Sequence, residues 1–205
     1  MKTEALVQRH DILCVQKVEG ELAHEVISAG TSSRTVHVSW AISPFRAAEM
    51  HFSGLRTVKV TEYESFRILR PRFPDEMLPA FEATFRQNWR EFRWKKYGIW
   101  QGFCQGFRRL TGVRLPFTKE GFANCSEYVG AGVKMAIDWL QERRNRYGDI
   151  LSAPPDEYGP ARLEDDLLVS GLYQETGLIF TGKYAERSPV SDDIPDGLPM
   201  APDQP

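Results

Sequence analysis

A chain of 205 residues with 41% hydrophobic and 26% charged residues has the make-up of a globular protein, long enough for one domain with a real core or two small ones. Its formal net charge of −2 supplies no overall field to draw in nucleic acid or an anionic membrane, so nucleic acid is not an expected partner. Three widely spaced cysteines, Cys14, Cys104 and Cys125, form no CxxC pair, which argues against a disulfide framework and a structural zinc site.

The N-terminal MKTEALVQRHDILCV breaks its apolar run with charges before a signal-peptide core can form, and nowhere do 18 apolar residues run together. A cytoplasmic location is expected, with carriage in a virion or export by other machinery as alternatives. HDILCVQKV (10–18) is β-branched and apolar enough for a buried strand, and ELAHEVISAG (21–30) reads as a short helix stopped by Gly30. RTVHVSWAIS (34–43) alternates: Val36, Val38, Trp40 and Ile42 share one face, and Thr35, His37, Ser39 and Ala41 the other. Segments 43–52, 56–62 and 66–71 supply further strands, giving a small antiparallel sheet in the first third of the chain.

Helices follow. Asp75 caps a segment running to about Lys95, with Leu78, Phe81, Phe85, Trp89 and Phe92 at three- and four-residue spacings. The aromatic stretch 97–110 reads as helical despite its glycines, and residues 125–148 give the clearest helical pattern, ended by Gly148. A proline-rich loop over 152–160 leads to a short helix in ARLEDDLLVSGLYQ and a strand in TGLIFTGKY. The domain is thus drawn over 1–187, an α+β unit with an antiparallel sheet packed on helices. Residues 188–205, rich in proline and aspartate, read as a disordered tail.

One cysteine stands apart. Cys14 and Cys104 sit in apolar runs and read as buried structural thiols. In FANCSEYVGA, Asn124 suits the N-cap of the long helix and Glu127 falls at N3, completing a capping-box pattern. Cys125 then occupies N1, where free N–H groups and the positive end of the helix dipole favour a thiolate, the nucleophilic form. Capping accounts for Asn124 and Glu127 but not for a cysteine at N1.

A thiol nucleophile needs a base and a group to orient it. Of His10, His24, His37 and His51, the best placed is His37, mid-strand on the face away from the valines, with small neighbours that leave room for a partner. The returning strand carries Glu49 and His51 on one face, so Glu49 would lie beside His37, and His51 competes as the weaker base. From spacing alone, the same pair equally fits a half-exposed histidine beside a surface glutamate. One cysteine and scattered histidines carry no metal-ligand spacing, and no cofactor is called for.

The succession HDIL, VHVSWAI, AEMHFSGL and late NCSEYV resembles the circularly permuted papain-like cysteine hydrolases of the NlpC/P60 superfamily, especially their YiiX/YebB-like branch, over residues 10–180. Lecithin retinol acyltransferase-like proteins form a related branch. The resemblance implies Cys125 as nucleophile, its backbone N–H as an oxyanion donor, His37 as base and Glu49 as orienting residue. KKYGIWQGF around Tyr97 looks like the helix start that precedes the family's cysteine helix. His10 stands where the family usually has glycine, Ser39 where glycine often follows the histidine strand's valine, and Met50 where alanine is common. The implied activity is hydrolysis of amide bonds in peptides or peptidoglycan-type peptides. Acyl transfer or hydrolysis on acyl lipids is the second possibility, with Phe103, Phe107, Phe117 and Phe122 as an acyl-pocket lining, although aromatics in such a stripe more often belong to the core. A catalytically silent module of a phage-like particle is the third.

Overall fold

The computed structural model describes residues 7–20, 33–72, 78–98, 121–144 and 154–180, together with His24, Ser28, Thr111 and Leu151. Its centre is a six-stranded antiparallel sheet in the order β4-β3-β2-β1-β5-β8. The strands are β1 Ile12–Gln16, β2 Thr35–Ala41, β3 Arg46–His51, β4 Gly54–Lys59, β5 Ser65–Pro71 and, last in the chain, β8 Tyr173–Phe180. Two short strands, β6 Lys96–Tyr97 and β7 Phe122–Ala123, pair in parallel beside it. Three helices complete an α+β fold: α1 Leu78–Phe92, α2 Cys125–Arg144 and α3 Pro160–Val169. No helix among the described residues is long and apolar enough to cross a membrane.

Period-two alternation divides the sheet's side chains between two apolar layers. Ile12, Cys14, Val38, Trp40, Ala48, Met50 and Leu69 face α1 and α2, meeting Phe81, Phe85, Trp89, Phe92, Tyr128, Val129 and Val133. Leu13, Val15, Ala41, Ala47, Val58, Phe66 and Ile68 gather with Tyr63 on the opposite face. Of the α1 stripe expected from Leu78, Phe81, Phe85, Trp89 and Phe92, all but Leu78, exposed at the helix start, are buried, and Cys14 is a fully buried thiol that burial pushes up. Phe122, offered as pocket or core, is 40% exposed.

Close packing decides one glycine. A Cβ at Gly132, midway along α2, would lie 2.1 Å from the Trp40 ring and 2.9 Å from Asn88 Nδ2. Glycine in a helix interior costs about 1 kcal/mol relative to alanine. Here it lets α2 approach β2 closely enough to hold its first residue at the sheet.

Several boundaries differ from expectation. The strand expected over 56–62 ends at Lys59, because Val60–Glu62 forms a 3-10 turn that delivers Tyr63. The helix expected from Ala161 onward stops at Val169. Gly171, at φ 70°, turns the chain, its N–H bonding Leu168 O at 3.1 Å, so Tyr173 and Gln174 join β8 instead. Tyr97 is not a helix start: Lys96 N–H bonds Gly121 O at 2.7 Å and Gly98 N–H bonds Ala123 O at 2.8 Å, so the segment pairs with β7. The rest of 97–110 with Cys104, the proposed cap Asp75, Phe117, most of 21–30, and the tail 188–205 lie outside the described residues.

Candidate active site

Asn124 caps α2. Its Oδ1 accepts the Glu127 N–H at 2.7 Å and the Ser126 hydroxyl at 3.0 Å, which places Cys125 in the first turn. Ser126 also donates to Tyr158 O at 2.8 Å, tying that turn to the loop ahead of α3. Glu127 lies 3.4 Å from Lys95 Nζ.

The sheet meets this turn at β2. Strands β2 and β3 are in register at Trp40↔Ala48 and Ala41↔Ala47. Extending that register brings Glu49 opposite Ser39, one diagonal step from His37 on the same face. His37 Nε2 donates to Glu49 Oε2 at 2.7 Å. That bond leaves Nδ1 for the hydrogen bond between His37 and Cys125. The thiol is buried at 3% exposure and receives backbone N–H groups from Val38 and Ser126. Tyr97, on β6, brings its phenol to the same sulfur. The three residues singled out from sequence therefore converge, and Tyr97 joins them as a neighbour of the thiol from a strand rather than a helix.

The electrostatics follow from these contacts. Burial raises the Cys125 thiol, but the His37 charge, its hydrogen bond and the two backbone donors outweigh it, and the net shift is downward. For His37, burial opposes the cation, yet the Cys125 thiolate and Glu49 push it up to about 10. Burial likewise opposes the Glu49 anion, and the bonds from His37, Tyr63 and Arg56 bring it down to about 2. These shifts favour a thiolate, an imidazolium and a carboxylate side by side. Burial, with the thiolate beside it, pushes the Tyr97 phenol well up, so it stays a neutral donor.

The other histidines are elsewhere. His51 is directed to Ser53, 3.3 Å from its hydroxyl, and is lowered by burial and by Arg56. His24 Nδ1 accepts the Val18 N–H at 3.2 Å. His10 packs among Trp40 and Phe81 with Nε2 3.4 Å from Glu82, and burial lowers it to about 4. Its φ is 72°, the left-handed region that suits glycine, which gives a physical reason for glycine at this place. Among the described residues, no group of three His, Cys, Asp or Glu is arranged to hold a metal ion.

Sequence reading passed over Arg56 and Tyr63, which both bind Glu49. Arg56 had a legible signal, since it lies directly across from Glu49 in a tight β3–β4 hairpin. Tyr63 had none, because the 3-10 turn that delivers it read as strand.

No family model matches the chain, and neither a curated protein nor a solved structure matches it.

Proposed function

We propose that this protein is a cysteine hydrolase that cleaves amide bonds, in peptides or peptidoglycan-type peptides, through Cys125, His37 and Glu49. The observation that carries this reading is the chain of contacts from the buried helix-start thiol through His37 to Glu49. The Cys125 thiolate attacks the carbonyl carbon, and the carbonyl electron pair moves to oxygen. The Cys125 N–H, at the start of α2, and the Tyr97 O–H are the donors assigned to that oxyanion. The tetrahedral adduct collapses to a thioester as His37 Nδ1–H protonates the departing amine. Water then attacks the thioester, giving its proton to Nδ1, and the electron pair of the C–S bond returns to sulfur. Glu49 keeps Nε2–H bonded throughout and supports the imidazolium. No step calls for a metal or organic cofactor.

The finer fold assignment, a circularly permuted papain-like domain, belongs to the same reading: sheet strands carry base and acid, and a later helix carries the nucleophile. A second substrate class, acyl lipids, has one observation in its favour. Phe52 is 56% exposed and packs edge-on to Tyr97 with ring centroids 4.8 Å apart, an apolar wall beside the residue that touches the thiol. A silent interaction module is disfavoured, since a structural role gives no reason to retain the thiol, imidazole and carboxylate in one line.

The test is the pH dependence of iodoacetamide alkylation, read by peptide mass mapping. Cys125 is expected to react at pH 6–7, where an ordinary thiol is protonated, and His37→Ala should slow it about tenfold or more at pH 7. If Cys125 follows the alkylation profile of an ordinary thiol in both proteins, the hydrolase reading fails. Turnover assays with peptidoglycan fragments and lipid esters, with Cys125→Ala as control, then separate the two substrate classes.

A further inference from the structure

Glu49 accepts more donors than the orientation of one imidazole requires. Its Oε2 takes His37 Nε2 at 2.7 Å and the Tyr63 hydroxyl at 2.6 Å. Its Oε1 takes Arg56 Nε at 2.8 Å and Nη2 at 2.7 Å. The donors arrive from β2, from the turn after Val60–Glu62 and from β4, where the register sets Arg56 directly across from Glu49. Tyr63 is 8% exposed, with its ring 6.1 Å from Phe66 and 6.4 Å from His37, so its hydroxyl is fixed by packing. Arg56 differs, with a side chain 40% exposed while the carboxylate it grips is buried.

We infer that Arg56 and Tyr63 are positioning residues of the thiol site: Tyr63 fixes the plane of the Glu49 carboxylate, and Arg56 takes a share of its negative charge away from His37. This rests on the hydrolase reading and assigns each residue a separate part in it.

The chemistry gives the division a purpose. In the free protein the imidazole faces Cys125 from α2, Glu49 and His51 from β3 and Tyr63 from the turn, while Tyr97 of β6 reaches the thiol and Arg56 of β4 the Glu49 carboxylate. Two of these, the thiolate and Glu49, hold its proton. Acylation of Cys125 removes the thiolate charge, so in the thioester Glu49 alone retains the proton against Arg56. The imidazole must be neutral at that stage to take a proton from water. A carboxylate with no second cation would keep the imidazolium charged, whereas one shared with a guanidinium holds it less tightly, and the guanidinium repels it. Arg56 thus acts on the second half of the cycle.

The experiment follows the His37 ring resonances by NMR titration in Cys125→Ala, which lacks the thiolate as the thioester does. Arg56→Met in that background should raise the His37 midpoint by about one pH unit. Arg56→Lys should return it most of the way, since the charge is restored without the fork. If Arg56→Met does not fold, Arg56→Gln keeps a hydrogen-bond donor without the charge and carries the same expectation. With Cys125 present, Tyr63→Phe should slow alkylation at pH 6–7 several-fold. An unmoved His37 midpoint in the folded Arg56 variants would overturn the role of Arg56, and unchanged alkylation in Tyr63→Phe that of Tyr63. These outcomes are separable from failure of the hydrolase reading, which shows in the wild-type Cys125 profile alone.

Discussion

His37 and Glu49 come from neighbouring strands, and their contact, Nε2 to Oε2 at 2.7 Å, settles which ring nitrogen is left for Cys125. Were Glu49 neutral, it would still accept the N–H bond but would no longer support the cation. Under the proposed mechanism, Glu49→Gln lowers turnover by about 10²- to 10⁴-fold while the protein remains folded, because an amide can also donate and so stabilise the wrong tautomer. Steady-state rates on a responsive substrate, with circular dichroism as the folding control, check this.

The thiolate–imidazolium pair sets a stability profile whose sign can be worked out. His37, raised to about 10 from 6.5, contributes stability fully below pH 6.5 and loses it as pH rises through its folded value. Cys125, lowered from 9.0, contributes above pH 9.0 and loses it as pH falls. Between the folded Cys125 value and 9.0 the two slopes oppose each other, since folding there moves one proton from sulfur to nitrogen, and above 9.0 the His37 slope acts alone. The difference in unfolding free energy between wild type and Cys125→Ala should diminish as pH rises from 9.0 through about 10, where the wild-type imidazolium loses its proton. Urea denaturation in steps from pH 8 to 10.5 measures it, and a difference that stays level above pH 9.0 would contradict the ion pair.

Glu49 adds an acid limb of its own. Lowered from 4.5 to about 2, it contributes stability above pH 4.5 that disappears as pH falls through about 2. Glu49→Gln should flatten the acid unfolding curve in that range, read by tryptophan fluorescence.

Asn124 links stability to reactivity. Asn124→Ala removes the Oδ1 that accepts Glu127 N–H and Ser126 Oγ, at a cost of about 1 kcal/mol. Because the same turn carries Cys125, alkylation at pH 7 should fall in the folded variant. Asn124→Asp, which keeps the cap, should recover the stability.

Gly132→Ala is expected to be destabilising despite alanine's better helix propensity. Its Cβ would sit 2.1 Å from the Trp40 ring, and overpacking of this kind costs about 1–3 kcal/mol. Thermal melts provide the comparison. A stabilised variant would mean that α2 and β2 can separate without loss.

What the sequence by itself determined is local or periodic. Alternation over residues 34–43 placed His37 opposite the valines, and three- and four-residue spacing marked α1. The Asn-Cys-Ser-Glu start put Cys125 in the first turn of α2, because a cap is written in consecutive residues. The tertiary structure decided what depends on encounters between distant segments. It set His37 rather than His51 against Cys125, and it moved Tyr97 from a helix to a strand through pairing with β7. It also brought Arg56 and Tyr63 onto one carboxylate. No periodicity encodes these contacts. They arise only when the strands have paired and the start of α2 has packed against β2, an approach that Gly132 permits.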